Sequence, residues 1–404
     1  MDQEHDPVIE SPTRRILPVV LLNLLVYLDI GMPMAVIPVF VHGGMHLNVI
    51  LAGFAVSLQY FATFASRASA GHRIDSGGPK PVALDGLLLC AFSGVLLTGA
   101  GLAKGNAALA LLLLLASRLA LGWSESWAST AAIMWNIRRV GVRNTAQVIS
   151  WNGITSYGGI AVGATIGEML SHVPGPLGGL TLVGLLSLLL PLGGWCLARS
   201  YPAVETMRGT APLMPFRKVF MRVLPHGSAL ACGSVGFGAI SSCLSLYFAA
   251  HGWSGAARAL FAFGVVFVIV RFMFARQIVR LGGLNVAMAS LLIEGLGLLV
   301  LAVLPTPAGA MLGAALTGAG FSLVFPALGV LAVERAGPEN RGAALGAFSV
   351  FLDLAIGISG PLLGLIIHLS GYAALFLFSA AVTLIGAALG AMLGRKRSAA
   401  SGSR

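Results

Sequence analysis

The sequence predicts an all-α membrane protein of twelve transmembrane helices, divided into two halves of six. Three observations carry this reading. Of the 404 residues, 57% are hydrophobic and 10% are charged, with a mean hydropathy of +0.90. Soluble domains carry about 25% charged residues, so this few cannot cover a water-facing surface of that size. The chain breaks into twelve apolar runs, each near the ~20 residues needed to cross a bilayer core. Finally, 21 of the 25 Lys and Arg residues fall in the termini and in alternate connections between the runs, counting Arg67 and Arg276 at the adjoining run ends.

The runs span 16–40, 49–69, 82–103, 106–134, 146–170, 178–198, 227–250, 257–276, 284–304, 308–333, 343–369 and 372–393. Length rather than periodicity defines them, because they are apolar nearly all round. The breaks are rich in glycine, proline and charge, as in HVPGP at 172–176 and PTP at 305–307. The N-terminus MDQEHDPVIE is acidic and polar, and the first run is too long for a signal-peptide core. Residues 1–14 are therefore read as a cytoplasmic tail, 15–198 as a first bundle and 199–226 as a cytoplasmic central loop. Residues 227–394 form a second bundle and 395–404 a basic cytoplasmic tail. The Lys and Arg bias places both termini in the cytoplasm.

Composition also narrows function. The net charge of +11 could suggest nucleic acid in a soluble chain, but here the charges line short loops, and no nucleic-acid partner is expected. Cys90, Cys196, Cys232 and Cys243 lie inside apolar runs without paired spacing, so neither a disulfide framework nor a zinc site is expected. His42 and His46 flank Gly43-Gly44 in an outer loop, a poor frame for a metal. GSVGFG at 233–238 follows no strand, GWSES at 122–126 lacks the last glycine of a nucleophile elbow, and no phosphate loop occurs. An enzyme, a metal site and ATP-driven pumping are not indicated.

Two registers relate the halves. A shift of 204 places Arg67 on Arg271, Gly78 on Gly282 and Val82 on Val286. A shift of 198 places Gly122 on Gly320, Arg143 on Arg341 and Gly159 on Gly357. Val279 faces Asp75, so the second copy lacks that acid.

Charges within the runs are the candidate site. A charged residue at a helix centre costs about 2.5–3.5 kcal/mol on insertion scales, so it needs a partner or a wet cavity. Asp29 in run one and Arg118 in run four lie at similar depth, and an ion pair between them is feasible. Glu125 shares the face of Arg118, seven residues on. Asp353 lies in run eleven and Glu294 in run nine, the latter read as a structural contact. Tyr27, Gln59, Tyr60, Trp151, Asn152, Ser241, Ser242, Tyr247 and Phe321 are further candidates to line a cavity. Gly159, Gly163 and Gly167 make a small-residue face on run five that another helix can approach.

The stretch Gly71–Lys80, GHRIDSGGPK, carries Gly71, Arg73, Asp75, Gly78 and Lys80 in a charged loop between runs two and three. It resembles the loop between helices two and three of the major facilitator superfamily, with Pro79 replacing the usual basic residue. Arg118-Leu-Ala-Leu-Gly122 resembles the fourth-helix pattern of its proton-coupled antiporters, with Leu121 where glutamine is often found. The Gly-Pro of the antiporters' fifth helix is absent from run five, and a Gly360-Pro361 pair stands in run eleven instead. The resemblance implies two pseudo-symmetric six-helix bundles around a cavity lined by helices one, four, seven and ten. Helices three, six, nine and twelve would face lipid, and the Gly71–Lys80 loop would latch the halves on the cytoplasmic side.

The expected activity is proton-coupled efflux of a small amphiphilic compound by alternating access. Asp29, tuned by Arg118, would bind protons in competition with substrate, and Glu125 and Asp353 would border the path. The expected energy source is the proton gradient with no cofactor, the expected setting a bacterial inner membrane, and the expected state a monomer. The alternatives are uptake of a sugar or organic acid, a lipid flippase, a membrane sensor and a membrane-embedded transferase.

Overall fold

A computed structural model describes residues 12–141, 144–175, 178–204, 216–336 and 341–402; the side chains of 75, 146, 216, 336, 341–343 and 395–402 fall outside the description. The helices in chain order are α1 (Pro12–Val39), α2 (Val49–Gly77), α3 (Pro79–Leu102), α4 (Ala107–Val140), α5 (Thr145–Ser171), α6 (Leu180–Ser200), α7 (Phe216–Ala250), α8 (Ala256–Phe274), the short α9 (Gln277–Leu281), α10 (Gly283–Val303), α11 (Pro307–Ala336) and α12 (Arg341–Gly402). A π-helical turn, Phe40–Gly44, follows α1. No strand occurs among the described residues.

Ten helices are long and apolar enough to cross a membrane among the described residues. The last of them contains two crossings, because α12 breaks at Gly371, where φ is 81°. The remaining crossing is α5, whose Asn152, Thr155, Ser156 and Tyr157 dilute its apolar character. Twelve crossings result.

Backbone donors at the starts of helices find local acceptors. The Asn48 side chain accepts from Leu51 N at 2.7 Å to cap α2, and Asn106 accepts from Leu109 N at 3.1 Å to cap α4. This satisfies groups that would otherwise be orphaned. The turn from α2 to α3 is a single residue, Gly78, at φ 86°. Gly282, its counterpart 204 residues on, enters α10 at φ 82°. L side chains rarely adopt this conformation, so both copies of the repeat use glycine for one geometric need. The expected ten-residue loop is thus mostly helix: α2 runs through Gly71 to Gly77 and α3 starts at Pro79. Likewise α7 begins at Phe216, within the expected 199–226 connection, and α12 continues to Gly402.

In the first half, α1 packs on α5, and α3 on α4 and α6. In the second, α7 packs on the first stretch of α12, and α10 on α11. The α5 glycines fit the first of these contacts: a Cβ at Gly163 or Gly167 would collide with the carbonyls of Leu28 or Met32 on α1. Phe92 of α3, Leu189 of α6, Leu296 of α10 and Ile385 of the second stretch of α12 are exposed, as helices bordering lipid require.

The halves meet through α2 with α12, α5 with α8 and α1 with α7. We call the face holding the start of α1 and the α2–α3 turn the basic face. Toward the opposite face the halves are closed. Gly53 of α2 and Gly360 of α12 are so close that a Cβ on either would strike the other's carbonyl. Residues 29–38 of α1 and 236–248 of α7 are buried on every side. On the basic side of this seal, Tyr27, Arg67 and Tyr157 stay partly exposed.

Candidate functional site

Four helices bring a carboxylate cluster together at mid-depth. Glu125 of α4 is 5% exposed. Tyr27 of α1 donates its hydroxyl to Glu125 Oε1 at 3.1 Å, and the Thr63 hydroxyl of α2 lies 3.2 Å from Oε2. Asp353 of α12, 1% exposed, takes Arg67 of α2 side-on, with Nε to Oδ2 at 2.5 Å and Nη2 to Oδ1 at 3.0 Å. This paired geometry is the strong form of the arginine–carboxylate contact, and it links the two halves. Glu125, Arg67 and Asp353 lie within electrostatic reach of one another. Arg67 is thus paired with Asp353 at the junction of the bundles, with Glu125 in electrostatic reach of both.

The Arg118–Gly122 motif has a local explanation. Arg118 donates to Gln59 Oε1 of α2, and a Cβ at Gly122 would collide with the Gln59 carbonyl. Arginine and glycine one turn apart thus dock α4 onto α2. The expected Asp29–Arg118 pair does not form among the described residues. Asp29 instead accepts from the Cys90 thiol of α3 at 3.1 Å, inside the first bundle, and its Oδ1 has no partner there. The cause is rotational: α1 turns Tyr27, not Asp29, toward Glu125.

The remaining candidates divide. Asn152 accepts through its carbonyl from Asn23 of α1 at 3.3 Å, beside Thr155 and Ser156, which Asn23 also reaches. Trp151 meets Phe272 of α8 edge-on at 5.9 Å, on the basic side of the α5–α8 seam. Tyr60 is buried beside Glu125 and Arg118. Phe321 stacks on Phe237 at 5.4 Å and meets Tyr157 edge-on at 5.8 Å. Ser241 donates to its own helix, and the Ser242 hydroxyl is buried without a partner. Tyr247 is placed away from the junction: it bonds the Leu301 carbonyl at 3.3 Å and packs with His251, Trp253 and Tyr372 near the opposite face. Glu294 is fully buried between α7 and α10, against Gly233 and Gly236, with neither oxygen partnered among the described residues.

Of the residues expected to latch the halves, Arg73 and Lys80 bond within the first half. Arg73 pairs with Asp85 of α3 at 2.5 Å and lies 4.3 Å from the Trp127 ring of α4. Lys80 Nζ donates to the carbonyls of Arg199 and Tyr201 at 2.8 and 2.5 Å, where a cation complements the end of α6. The Asp75 side chain lies outside the described residues, and Gly71 sits in α2 with open space where a Cβ would be.

Sequence reading missed Arg67, Thr63, Asn23 and Tyr157. Arg67 counted as a loop charge, although the 204-residue register already aligned it with Arg271 inside a run. Tyr157 stacks at 3.9 Å on Phe267 of α8 and meets Phe237 of α7 at 5.6 Å, so one α5 ring enters an aromatic wall from the second half.

Comparison with known proteins agrees with this architecture. The model of the Major Facilitator Superfamily matches residues 19–359 and 259–403. An uncharacterised MFS-type transporter of Burkholderia pseudomallei (strain 1106a) is 46% identical over 393 residues, covering 97% of this chain and 95% of the relative. One from Pseudomonas aeruginosa (strain UCBPP-PA14) is 45% identical over 392 residues, covering 97% and 96%. The crystal structure of the human organic anion transporter MFSD10 (TETRAN) superimposes with a TM-score of 0.70 at 18% identity, over 94% of this chain and all of that one. The chain belongs to the major facilitator superfamily.

Proposed function

We propose that the protein is a proton-coupled exporter of a small amphiphilic compound, with Glu125 as the proton carrier. It works as a monomer in a bacterial inner membrane, the basic face toward the cytoplasm. Family membership supports a secondary transporter rather than an enzyme, and the distribution of Lys and Arg supports the orientation. The observation carrying the proton assignment is the buried Glu125 carboxylate, held by Tyr27 and Thr63 beside the cross-bundle Arg67–Asp353 pair.

When Glu125 is protonated, Arg67 belongs to Asp353, and the pair holds α2 to α12. When Glu125 is ionised, it draws on the same guanidinium and the cross-bundle pair weakens. A proton thus biases a two-bundle equilibrium, as coupling requires. Tyr157, partly exposed and backed by the buried rings of Phe237, Phe267 and Phe321, supplies an apolar contact for the rest of an amphiphile.

Glu125→Gln, reconstituted in proteoliposomes, tests the assignment. Uphill transport driven by an imposed pH gradient is expected to vanish, while downhill movement of the same compound persists. Retained uphill transport would remove Glu125 from the mechanism. A second reading, uptake of an anion together with protons, is favoured by one observation: Arg271 is a buried cation with no described carboxylate partner.

A further inference from the structure

Three arginines lie deep among the described helices. Arg67 has Asp353. Arg118 has the Gln59 side chain, with Asp29 in electrostatic reach. Arg271 of α8, 5% exposed, has a single hydrogen bond, Nη1 to the Ser322 carbonyl of α11 at 2.8 Å. The ring of Phe267 lies 5.5 Å from its guanidinium. Its Nε and Nη2 hold no hydrogen bond among the described residues. The α5 backbone at Gly153 lies over the flat face of the guanidinium, where a Cβ would come within 2.9 Å of Nη2, 3.0 Å of Cζ and 3.3 Å of Nε.

The internal repeat sharpens this. Arg271 is the 204-residue counterpart of Arg67, and both stand where one half meets the other: α2 against α12, and α8 against α5. Opposite Arg67, α12 supplies Asp353. Opposite Arg271, α5 supplies the uncharged backbone of Gly153. The acid nearest in sequence on α5 is Glu168, fifteen residues beyond Gly153 and so about 22 Å further along the helix. One pseudo-symmetric guanidinium is neutralised from within the chain and the other is left open. An isolated buried cation is expensive, and a single backbone carbonyl needs no guanidinium.

We propose that Arg271 is the anion-binding group of the substrate site, and that the substrate is an amphiphilic organic anion. A carboxylate accepts from Nε and Nη2 of Arg271, in the fork geometry that suits arginine and not lysine. The flat apolar body lies against Tyr157, the partly exposed member of the aromatic wall. This rests on the transport reading above but on neither direction of transport.

The test uses the full-length purified protein in lipid nanodiscs. The probes are benzoate, 2-naphthoate and indole-3-acetate, each against its neutral carboxamide, with binding read by thermal stabilisation and tryptophan fluorescence. At least one carboxylate is expected to bind about tenfold or more tighter than its amide, the size of a charge-assisted hydrogen bond. Arg271→Gln should erase that preference and Arg271→Lys restore it in part. Gly153→Ala keeps the charge but crowds the guanidinium, so it should weaken the carboxylate and leave the amide unchanged; it serves if Arg271 variants do not fold. Equal affinity for acid and amide, no binding of any acid, or a preference that survives Arg271→Gln overturns the proposal. A parallel proteoliposome assay keeps the two readings apart. Carboxylate binding through Arg271 without any carrier-mediated flux would sink transport and leave the anion site, whereas flux of neutral compounds without acid preference would do the reverse.

Discussion

The seal on the opposite face gives a prediction whose sign follows from sterics alone. Gly53 and Gly360 bring α2 and α12 together so tightly that a methyl group on either would strike the other's backbone carbonyl. A backbone carbonyl cannot turn away as a flexible side chain can. Adding one carbon to a full contact costs about 1–3 kcal/mol. Here the helices can relieve the strain by separating, so the penalty falls on the closed state. The population ratio of opposite-closed to opposite-open forms should then drop by about 5-fold to 150-fold for Gly53→Ala, since 1.4 kcal/mol is about tenfold. Spin labels at His46, in the α1–α2 turn, and at Gly252, after α7, would read the separation on that face by pulsed electron resonance. The four native cysteines would be replaced first. Gly53→Ala and Gly360→Ala should each lengthen this distance distribution. Gly71→Ala, with open space around its Cβ, is the control and should leave it alone. A Gly53→Ala protein that inserts normally and keeps the parent distribution would refute the seal.

Further predictions follow from the polar groups. Reversing one member of the cross-bundle pair, as Arg67→Asp or Asp353→Arg, leaves like charges facing each other, and breaking such a buried pair costs about 3–5 kcal/mol. Each single variant should therefore lose transport, and the double swap should regain a measurable part of it in the proteoliposome flux assay. Asp29→Asn tests the site that sequence depth alone suggested. Because Asp29 bonds Cys90 inside the first bundle, pH-driven uphill transport should persist within about twofold; its loss would return the proton role to Asp29. Arg73→Ala removes a pair whose members are both 42% exposed, together with a cation–π contact. Pairs and contacts of this kind are worth about 0.2–1 kcal/mol each, so only a small fall in thermal stability is expected. Label distances between the halves should not change, as they would if Arg73 latched them.

Span number, the repeat and the segregation of Lys and Arg were legible because each follows from chain length and solvent class alone. Side-chain direction was not. Asp29 and Tyr27 are two residues apart, which on a helix is about 200° of rotation, so a correct depth still leaves the facing group undecided. Apolar residues on every side of α1 remove the periodicity that would have fixed it. The same limit hid Arg67: read linearly, it stands at the end of the 49–69 run beside the charged turn, and nothing in the sequence turns it toward α12 rather than toward water. The repeat held the missing information. Arg67 and Arg271 fall in register, and residues related in this way occupy matched positions at the two inter-bundle seams. Where both copies keep the residue and one loses its counter-charge, the difference marks the place where the pseudo-symmetric halves stop serving the fold alike. In this chain that place is the α5–α8 seam, with Arg271 on one side and the uncharged backbone of Gly153 on the other. A search for function in such a duplicated fold is therefore better aimed at broken pairs between the copies than at charges ranked by depth.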